Sequence, residues 1–595
     1  MGKRNEHTAG EGPMTAHFLL FRPARWHTVA SCLFCAAISV MTLVLTACMD
    51  PVVATIRSAT QIENAPGATI VPASGSLVAP NQEVLIRFSE SMDRSSLSLR
   101  GTVLEYADTP RWESIIHRDD AVSLQPDSDW PLYEALTLEV TGRSIRGYDS
   151  QRTASEFTAI DEEIYVSSTA SVEDEAMPLG SPGDPFPTIQ GAIDRASARR
   201  TDGYREIQKI RVSSGTYEES VRLIPRIELY GGYNDAFDTR TPGSSVLLGA
   251  SGSAATVFID PEGETVTASL LDGFEVQQPP GDEAVATLRI PAGRLRIVDS
   301  LIRGEAVPAL AAEGGLGIDI ERSTIIGPTS GAVRTAIVVD AADVRMEESH
   351  ASIPFTPHSA SEDVATVVIK NYGSMELNRS RLLAAQGNVG RSIALRVQSD
   401  GSARVHHSLI DGGSGFTTQA VLQEGGLLFL RNSTIRAGNA TSTAERASVG
   451  VRSGGSIVPV NLPYLAVQNC VFFGNGELNS VAGHFFDLSK TWENNLFHDF
   501  ADVGYVESEF SGYWLTVAEM NGSVQYTGGA NNVEADPVLA SPLPLSDGGA
   551  DWSLSPSSPG TVTAGGQDLS ELGVEAVDYA GNPRGDDWAI GAYEP

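Results

Sequence analysis

A pattern of apolar and polar positions returns seven times between residues 290 and 475. Each copy reads apolar, any residue, apolar, two turn-like residues, a small residue, any residue, apolar. The small residues are Ser300, Ser323, Ser349, Ser380, Ser408, Ser433 and Cys470, separated by 23, 26, 31, 28, 25 and 37 positions. A recurring unit that joins a strand to a tight turn predicts the stacked coils of a parallel β-helix, with loops of variable length between strands.

Strand geometry assigns a direction to each position of this repeat. Because side chains alternate along a strand, both apolar residues before the turn point inward, and the turn lets the small residue point inward too. We therefore expect these small residues to form a buried ladder, with Cys470 as a core residue. The alternative is that Cys470 carries a reactive thiol. The residues before the ladder positions are expected to form an exposed column of mixed charge: Asp299, Arg322, Glu348, Arg379, His407, Asn432 and Asn469.

Short alternating strands separated by turn residues occupy residues 69–160, most clearly at 84–88 and 136–140. This pattern predicts a small β-sandwich. The segment resembles bacterial Ig-like domains in Pro72-Ala73-Ser74-Gly75, in Asn81, in Phe88-Ser89-Glu90-Ser91-Met92-Asp93 and in Ser95-Ser96. The resemblance implies that these residues form turns and core, so a spacer role is expected, with a binding module as the alternative.

A short helix is predicted between the sandwich and the first repeats. Ile189, Ala192, Ile193 and Ala196 fall on one helical face, and Thr188 is a good N-cap. Such a helix would cover the open N-terminal end of the solenoid, where the first coil otherwise exposes core.

Residues at both ends of the repeat region resemble bacterial right-handed β-helix proteins of the pectate-lyase-like superfamily. The matching segments are 164–167, 180–182, 185–190, 192–193, 215–219, 229–233, 536–537, 557–559, 578, 581–584 and 590–594. The expected fold is all-β: a small Ig-like sandwich, then a right-handed parallel β-helix with a short N-terminal capping helix. The predicted boundaries are 1–47 signal peptide, 48–68 flexible tether, 69–160 sandwich, 161–535 β-helix and 536–595 C-terminal end or cap.

The N-terminal segment has the features of an export signal. Residues 33–47 are apolar and uncharged, and Arg22 and Arg25 precede them. Leu45-Thr46-Ala47-Cys48 resembles the bacterial lipobox, which implies lipid on Cys48 as the membrane attachment. We therefore expect a lipid-anchored cell-envelope protein of the outer membrane, with exposure at the cell surface as one option. The start codon is open between Met1 and Met14.

The charge of the chain excludes one class of partner. Four of the 41 basic residues and two of the 75 acidic residues lie within residues 1–47, so the remainder of the chain has a net charge of −36. Such a field repels nucleic acid, and it also disfavours uronic-acid polymers unless calcium bridges the two charges. With Cys48 lipidated, Cys470 has no partner for a disulfide in the mature chain.

No recognisable lyase or hydrolase motif appears in the repeats. The weak catalytic candidates are His407, Asp411 and Arg379, which lie near His406 and Asp400. Arg379, His407 and Asn432 would be vertical neighbours that could bind a sugar, with a solvated edge as the other interpretation. Calcium as a cofactor rests on two fragments alone, Asp340 with Asp343 and Asp127 with Asp129.

Two functions follow from these features. The first is a noncatalytic role in binding, adhesion or structure, with a polysaccharide or another cell-surface molecule as the partner. The second is a polysaccharide lyase or glycoside hydrolase acting on an extracellular polymer. They differ in one respect: an enzyme needs carboxylates and a base that converge in a groove.

Overall fold

The computed structural model describes residues 65–592 with internal gaps. The gaps are 162, 171–179, 202–206, 263–266, 279–283, 331–333, 355–361, 388, 399, 445, 455–463, 477–479, 486–489, 501, 508–511, 523–529, 538, 542–550, 555–556, 559–563, 565, 573 and 585–587. The predicted signal, Cys48 and most of the tether lie outside the described residues. In the described part of the chain, no helix is long and apolar enough to span a bilayer.

The first unit is a β-sandwich of two four-stranded sheets. One sheet has the strand order Ala68–Val71, Val84–Phe88, Ala121–Leu124 and Arg111–Glu113, and the other Ser76–Val78, Thr153–Ala159, Ala135–Thr141 and Ser98–Arg100. Short 3-10 helices occupy Arg94–Ser96 and Thr102–Glu105. Trp130 is buried between the sheets, where its indole N–H donates to the carbonyl of Gln82 at 2.7 Å. The predicted sandwich is therefore present, and the Ig-like family assignment stays a prediction.

The second unit winds through three sheets, named A, B and C in the order in which the chain visits them. Each has twelve strands in the described residues. Sheet A contains Glu163–Val166, Gln208–Ser213, Ile227–Tyr233, Ala268–Asp272, Arg294–Val298, Gly317–Glu321, Asp343–Glu347, Ser374–Asn378, Ser402–His406, Leu427–Arg431, Tyr464–Gln468 and Lys490–Glu493. Sheet B contains Gly215–Glu218, Ser245–Leu248, Phe274–Gln277, Leu301–Arg303, Thr324–Ile326, His350–Ser352, Arg381–Leu383, Leu409–Asp411, Thr434–Arg436, Val471–Phe473, Leu496–His498 and Val533–Glu534. Sheet C contains Val221–Leu223, Val257–Ile259, Leu288–Ile290, Leu310–Ala312, Thr335–Asp340, Asp363–Lys370, Arg391–Val397, Thr417–Gln423, Ser448–Ser453, Ser480–Phe485, Asp502–Glu507 and Gly512–Leu515.

The strands of these sheets pair in parallel, one coil upon the next. The exception is the final pair of sheet C, Asp502–Glu507 with Gly512–Leu515, which is antiparallel. Two smaller pairs complete the strands: Ser414–Gly415 with Asn439–Ala440, and Leu539–Ser541 with Asp551–Leu554. The architecture is a right-handed parallel β-helix, so the all-β prediction is confirmed.

The predicted ladder of small residues is confirmed. Its seven members are at most 3% exposed, and each lies in the core between sheets A and B. The amide of Ser349 donates to the Ser380 hydroxyl at 3.2 Å, and that hydroxyl donates to the carbonyl of Asn378 at 2.8 Å. The same two bonds recur from coil to coil, and Asn495 and Asn532 continue the ladder beyond Cys470. Burial raises the pKa of the Cys470 thiol to about 12, which fits a core residue.

The predicted turn residues all adopt the left-handed conformation. Their φ angles lie between 44° and 55°, although only two of the seven are asparagine. One repeating turn therefore connects sheets A and B, and it fixes the same turn geometry whether the side chain is acidic, basic or an amide.

A short helix, Ile189–Thr201, covers the N-terminal end of the solenoid as predicted. Its apolar face, formed by Ile189, Ala192, Ile193 and Ala196, is buried in the β-helix core. The Thr188 hydroxyl accepts a hydrogen bond from the amide of Gly191 at 3.2 Å. The Glu219 carboxylate accepts hydrogen bonds from the amides of Ile189 and Gln190 at 2.7 and 2.9 Å. At the other end, the helix Val517–Gly522 contributes Met520 to the same core.

The C-terminal segment folds back over the turns between sheets A and B. We call the described residues between 566 and 592 the strap; it includes the 3-10 helix Ser570–Leu572. Gln567 exchanges hydrogen bonds with Asn469, whose side chain donates to the Gln567 carbonyl and accepts the Gln567 amide at 2.9 Å. Ala589 and Ile590 pack on Val471 and Leu496. The prediction of an exposed turn column is therefore wrong for its C-terminal part, because the strap buries Asn432 and Asn469 completely.

Candidate functional site

The outer face of sheet A carries a column of charged side chains. Each strand has one residue between its two inward-facing apolar positions, and this middle residue faces outward. Six of these residues align in register on consecutive strands: Arg296, Asp319, Arg345, Glu376, Arg404 and Phe429. The charge alternates in sign for five strands before the aromatic residue. At a strand spacing of about 4.8 Å, the column is about 24 Å long.

Two of the arginines in this column are neutralised by neighbouring glutamates. Arg296 forms a bidentate pair with Glu321, with N–O distances of 2.8 and 2.7 Å. Arg345 donates to Glu347 at 2.8 Å. The Arg296 pair lowers the pKa of the Glu321 carboxyl, chiefly through the hydrogen bond from that guanidinium. The Arg296–Glu321 pair joins adjacent coils, whereas Arg345 and Glu347 lie on the same strand. Both contacts reduce the freedom of the guanidinium groups to bind a ligand.

A groove runs along the column. One part has a volume of about 290 Å³ and is lined by Arg296, Asp319, Glu321, Arg345 and other residues of the same strands. The other part, about 170 Å³, continues from Asp319 and Arg345 to Arg404. The two parts share Asp319 and Arg345, so they lie side by side along the column and together involve five strands of sheet A.

An exposed apolar and aromatic surface adjoins the groove. Leu427 and Tyr464 are 46% and 43% exposed, and they lie in register with Ser402 on the groove wall. The rings of Phe429 and Tyr464 are 5.5 Å apart and tilted by 47°. We call Leu427, Phe429 and Tyr464 the aromatic platform. A ligand leaving the groove at Arg404 would next meet these rings.

His407 and Arg379, two of the sequence candidates, lie on adjacent coils in the turn column. His407 is fully buried beside the strap, and burial, followed by the charge of Arg584, lowers its pKa to about 3. Arg379 donates to Glu347 at 2.5 Å and to Glu575 of the strap at 2.9 Å. It also pairs with Glu348 at 3.1 Å. The structure thus places both residues where the strap packs on the turns between sheets A and B, and carboxylates surround Arg379.

Asp411, the third candidate, lies in sheet B and has partners of its own. Its carboxylate accepts the amide of Gly413 at 2.9 Å and pairs with Arg436 at 3.3 Å. His406 ends its sheet A strand and is 8% exposed, and burial followed by the charge of Arg431 lowers its pKa to about 4. Asp400 has a left-handed backbone at a turn before the same strand.

Of the two fragments considered for calcium, Asp127 and Asp129 are exposed in the sandwich, and Asp340 and Asp343 have contacts of their own. Asp340 accepts from Asn371 at 2.8 Å and pairs with Lys370 at 3.1 Å. Asp343 accepts a hydrogen bond from the Ser374 hydroxyl. Among the described residues, no cluster of three or more acidic, histidine or cysteine side chains has the geometry to hold a metal ion.

Sequence reasoning missed the groove, although the repeat contained its signal. The outward column consists of the residues that the repeat pattern treats as variable, between the two apolar positions. Reading that position alone gives Arg296, Asp319, Arg345, Glu376 and Arg404, an alternation of charge that the pattern of core residues conceals. The aromatic platform follows at the same position in the next coil.

Comparisons with known proteins add little to this geometry. No protein-family model matches the chain, and no curated protein does. Among solved structures, an L,D-transpeptidase from Mycobacterium smegmatis matches with 21% identity and a TM-score of 0.12, over 17% of this chain and 43% of that chain. A Family 28 exopolygalacturonase from Yersinia enterocolitica matches with 9% identity and a TM-score of 0.15, over 80% of this chain and 100% of that chain.

These likenesses carry no argument about activity. This chain spans less than half of the transpeptidase chain that it matches. The class of protein is therefore defined by its own topology: a right-handed parallel β-helix that follows a β-sandwich and bears a charged groove on sheet A.

Proposed function

We propose that this protein is a lipid-anchored component of the bacterial cell envelope that binds an extended polysaccharide along sheet A without cleaving it. One observation carries the binding role: the charged groove ends at Ser402 and Arg404, and the aromatic platform begins on the next strand of the same face. Carboxylates and guanidinium groups exchange hydrogen bonds with sugar hydroxyls, and aromatic rings cover the apolar faces of sugar rings.

The noncatalytic part of the proposal rests on the surroundings of the sequence candidates. General acid–base chemistry needs a group that reaches the substrate and has a pKa near the working pH. His407 is fully buried with a strongly lowered pKa, and Asp411 is bonded to Arg436 and Gly413. These contacts support a role in stabilising the fold for both residues. A lyase or hydrolase on the same scaffold remains the competing proposal, and product formation distinguishes the two.

The anchoring part of the proposal comes from the sequence. Lipid on Cys48 would attach the chain to the membrane, and the tether and the sandwich would hold the β-helix away from it. The solenoid would then present its long axis to a polymer outside the membrane. This arrangement suits capture of an extended chain, because successive coils offer equivalent positions along one direction.

The binding role is tested with the mature chain carrying Cys48→Ser, so that it is obtained without lipid. Binding is measured by titration against a panel of purified polysaccharides. The protein with native Phe429 and Tyr464 is compared with the double variant Phe429→Ala/Tyr464→Ala. We expect the double variant to lose about tenfold in affinity, the scale of two aromatic contacts. The matched control is Phe416→Ala, which removes a ring that is 50% exposed outside the groove and should leave binding unchanged.

Two results would overturn the proposal. Equal binding by the double variant and the parent would show that the polymer lies on another surface. New reducing ends or unsaturated uronates released from any bound polymer would show that the protein is an enzyme.

A further inference from the structure

The charged groups of the groove are not equally available to a ligand. Glu321 holds Arg296 through two hydrogen bonds at 2.8 and 2.7 Å, and Glu347 is shared between Arg345 at 2.8 Å and Arg379 at 2.5 Å. The bidentate Arg296–Glu321 pair is rigid and has few donors left for a third partner, whereas Arg345 makes a single hydrogen bond to Glu347. The ligand is therefore recognised mainly by the groove residues outside these pairs.

The groups that remain are mostly carboxylates. Within the described chain, Asp319 and Glu376 take part in neither a hydrogen bond nor an ion pair, and Asp343 accepts the hydroxyl of Ser374. Arg404 is the remaining cation on the groove wall. The groove thus offers three carboxylates against the guanidinium of Arg404 and the partly engaged guanidinium of Arg345. Carboxylate oxygens accept hydrogen bonds, so they suit a ligand whose hydroxyl groups donate hydrogen bonds.

We propose that the groove selects neutral, hydroxyl-rich glycans over uronic-acid polymers. The proposal rests on the polysaccharide-binding function above and names its ligand class. Asp319 and Glu376 have no hydrogen-bonded cation in the described chain, although each lies one strand from Arg345 in register. A uronate beside either carboxylate would meet a like charge at the closest range, whereas a neutral sugar would donate hydrogen bonds from its hydroxyls to both. The excess of acidic residues in the whole chain adds to this repulsion. Phe429 and Tyr464 can stack on the apolar face of a pyranose ring, which adds affinity for sugars of either class.

The test uses hexasaccharides, which are long enough to meet several coils. The mature chain carrying Cys48→Ser is titrated with cellohexaose, mannohexaose and maltohexaose, and with hexagalacturonate as the anionic probe. The variants are Asp319→Asn and Glu376→Gln, which keep the shape of each side chain and remove its charge. Asp235→Asn, an exposed carboxylate in the loop after Tyr233, is the control.

We expect at least one neutral hexasaccharide to bind, and hexagalacturonate to bind more weakly by about tenfold or more. Combining Asp319→Asn with Glu376→Gln should weaken the neutral ligand by about tenfold, because each amide accepts fewer and weaker hydrogen bonds than a carboxylate. The same change should reduce the difference in affinity between the neutral ligand and hexagalacturonate. The control variant should leave the affinity for both ligands unchanged.

Each contrary result has its own meaning. If hexagalacturonate binds as tightly as the neutral ligands, or if the double variant keeps the affinity of the parent for them, the proposed selectivity is wrong while the polysaccharide-binding function stands. If neither these hexasaccharides nor the polysaccharide panel binds, both proposals fail. Circular dichroism of each variant confirms that the β-helix is folded.

Discussion

Replacing Ser380 by alanine removes one step of the ladder inside the β-helix. The Ser380 side chain is fully buried, accepts the amide of Ser349 at 3.2 Å and donates to the carbonyl of Asn378 at 2.8 Å. Alanine fits the space but leaves that amide without its acceptor in the core. An unsatisfied buried donor together with a lost hydrogen bond costs about 2–3 kcal/mol, so we expect the free energy of unfolding to fall by that amount.

The measurement is urea unfolding of the mature chain, combined with hydrogen exchange of the Ser349 amide. Exchange is needed because a solenoid can open locally, so a global curve underestimates the change in one coil. Two variants act as controls. Ser330→Ala removes an exposed hydroxyl and should change stability by less than about 0.5 kcal/mol. Ser380→Cys should cost less than alanine, because Cys470 occupies the same ladder position. A Ser380→Ala variant as stable as the parent, with unchanged exchange at Ser349, would refute the reasoning.

Three further predictions concern groups with perturbed or special chemistry. Burial lowers the pKa of the His407 imidazole to about 3, whereas an unfolded histidine has a pKa near 6.5. The contribution of His407 to stability is therefore complete above about pH 6.5 and is lost as the pH falls, by about 2–3 kcal/mol at about pH 4.5. His407→Asn should remove this part of the acid sensitivity, and coincident unfolding curves for the two proteins across that range would contradict it. Burial of the Cys470 thiol, with a pKa of about 12, predicts no labelling by a maleimide in the folded Cys48→Ser chain and full labelling in denaturant; labelling of the folded chain would count against the ladder position. Cys48→Ser itself should move the protein from the membrane fraction to the soluble fraction with an unchanged circular dichroism spectrum, and a variant that stays in the membrane fraction would exclude lipid on Cys48 as the anchor.

The core of the β-helix was predictable because its signals are local. The apolar pair, the turn and the small residue lie within eight positions in each coil, and their spacing determines which side chains point inward. The ladder from Ser300 to Cys470 and the helix Ile189–Thr201 both follow from such short segments. Coils that depart from the pattern are harder to recognise, as where Gly273 and Phe274 occupy the turn and ladder positions.

The covered half of the turn column was not predictable from the repeats. Its burial depends on contacts between residues far apart in the sequence: Asn469 with Gln567, 98 positions away, and Arg379 with Glu575, 196 positions away. The repeat specifies that these turns face outward, and it contains no information about a later segment that packs on them. An outward-facing position is therefore an exposed position only where no other part of the chain covers it.

The groove was concealed for a different reason. Its charged residues occupy a variable position of the repeat, and their alternation becomes visible only when strands are aligned in register. Which charges cancel also depends on geometry, since Arg296 pairs diagonally with Glu321 and not with Asp319 directly opposite. Sequence could place these residues on one face, and side-chain contacts were needed to separate paired charges from available ones.

The most direct test of the account is a crystal structure of the mature chain with the tightest-binding hexasaccharide of the panel. We predict that the sugar chain lies on sheet A, parallel to the helix axis, with hydroxyls on Asp319 and Glu376 and a ring against Phe429 or Tyr464. A hexasaccharide bound on sheet B, on sheet C or on the strap, with the sheet A groove empty, would contradict it.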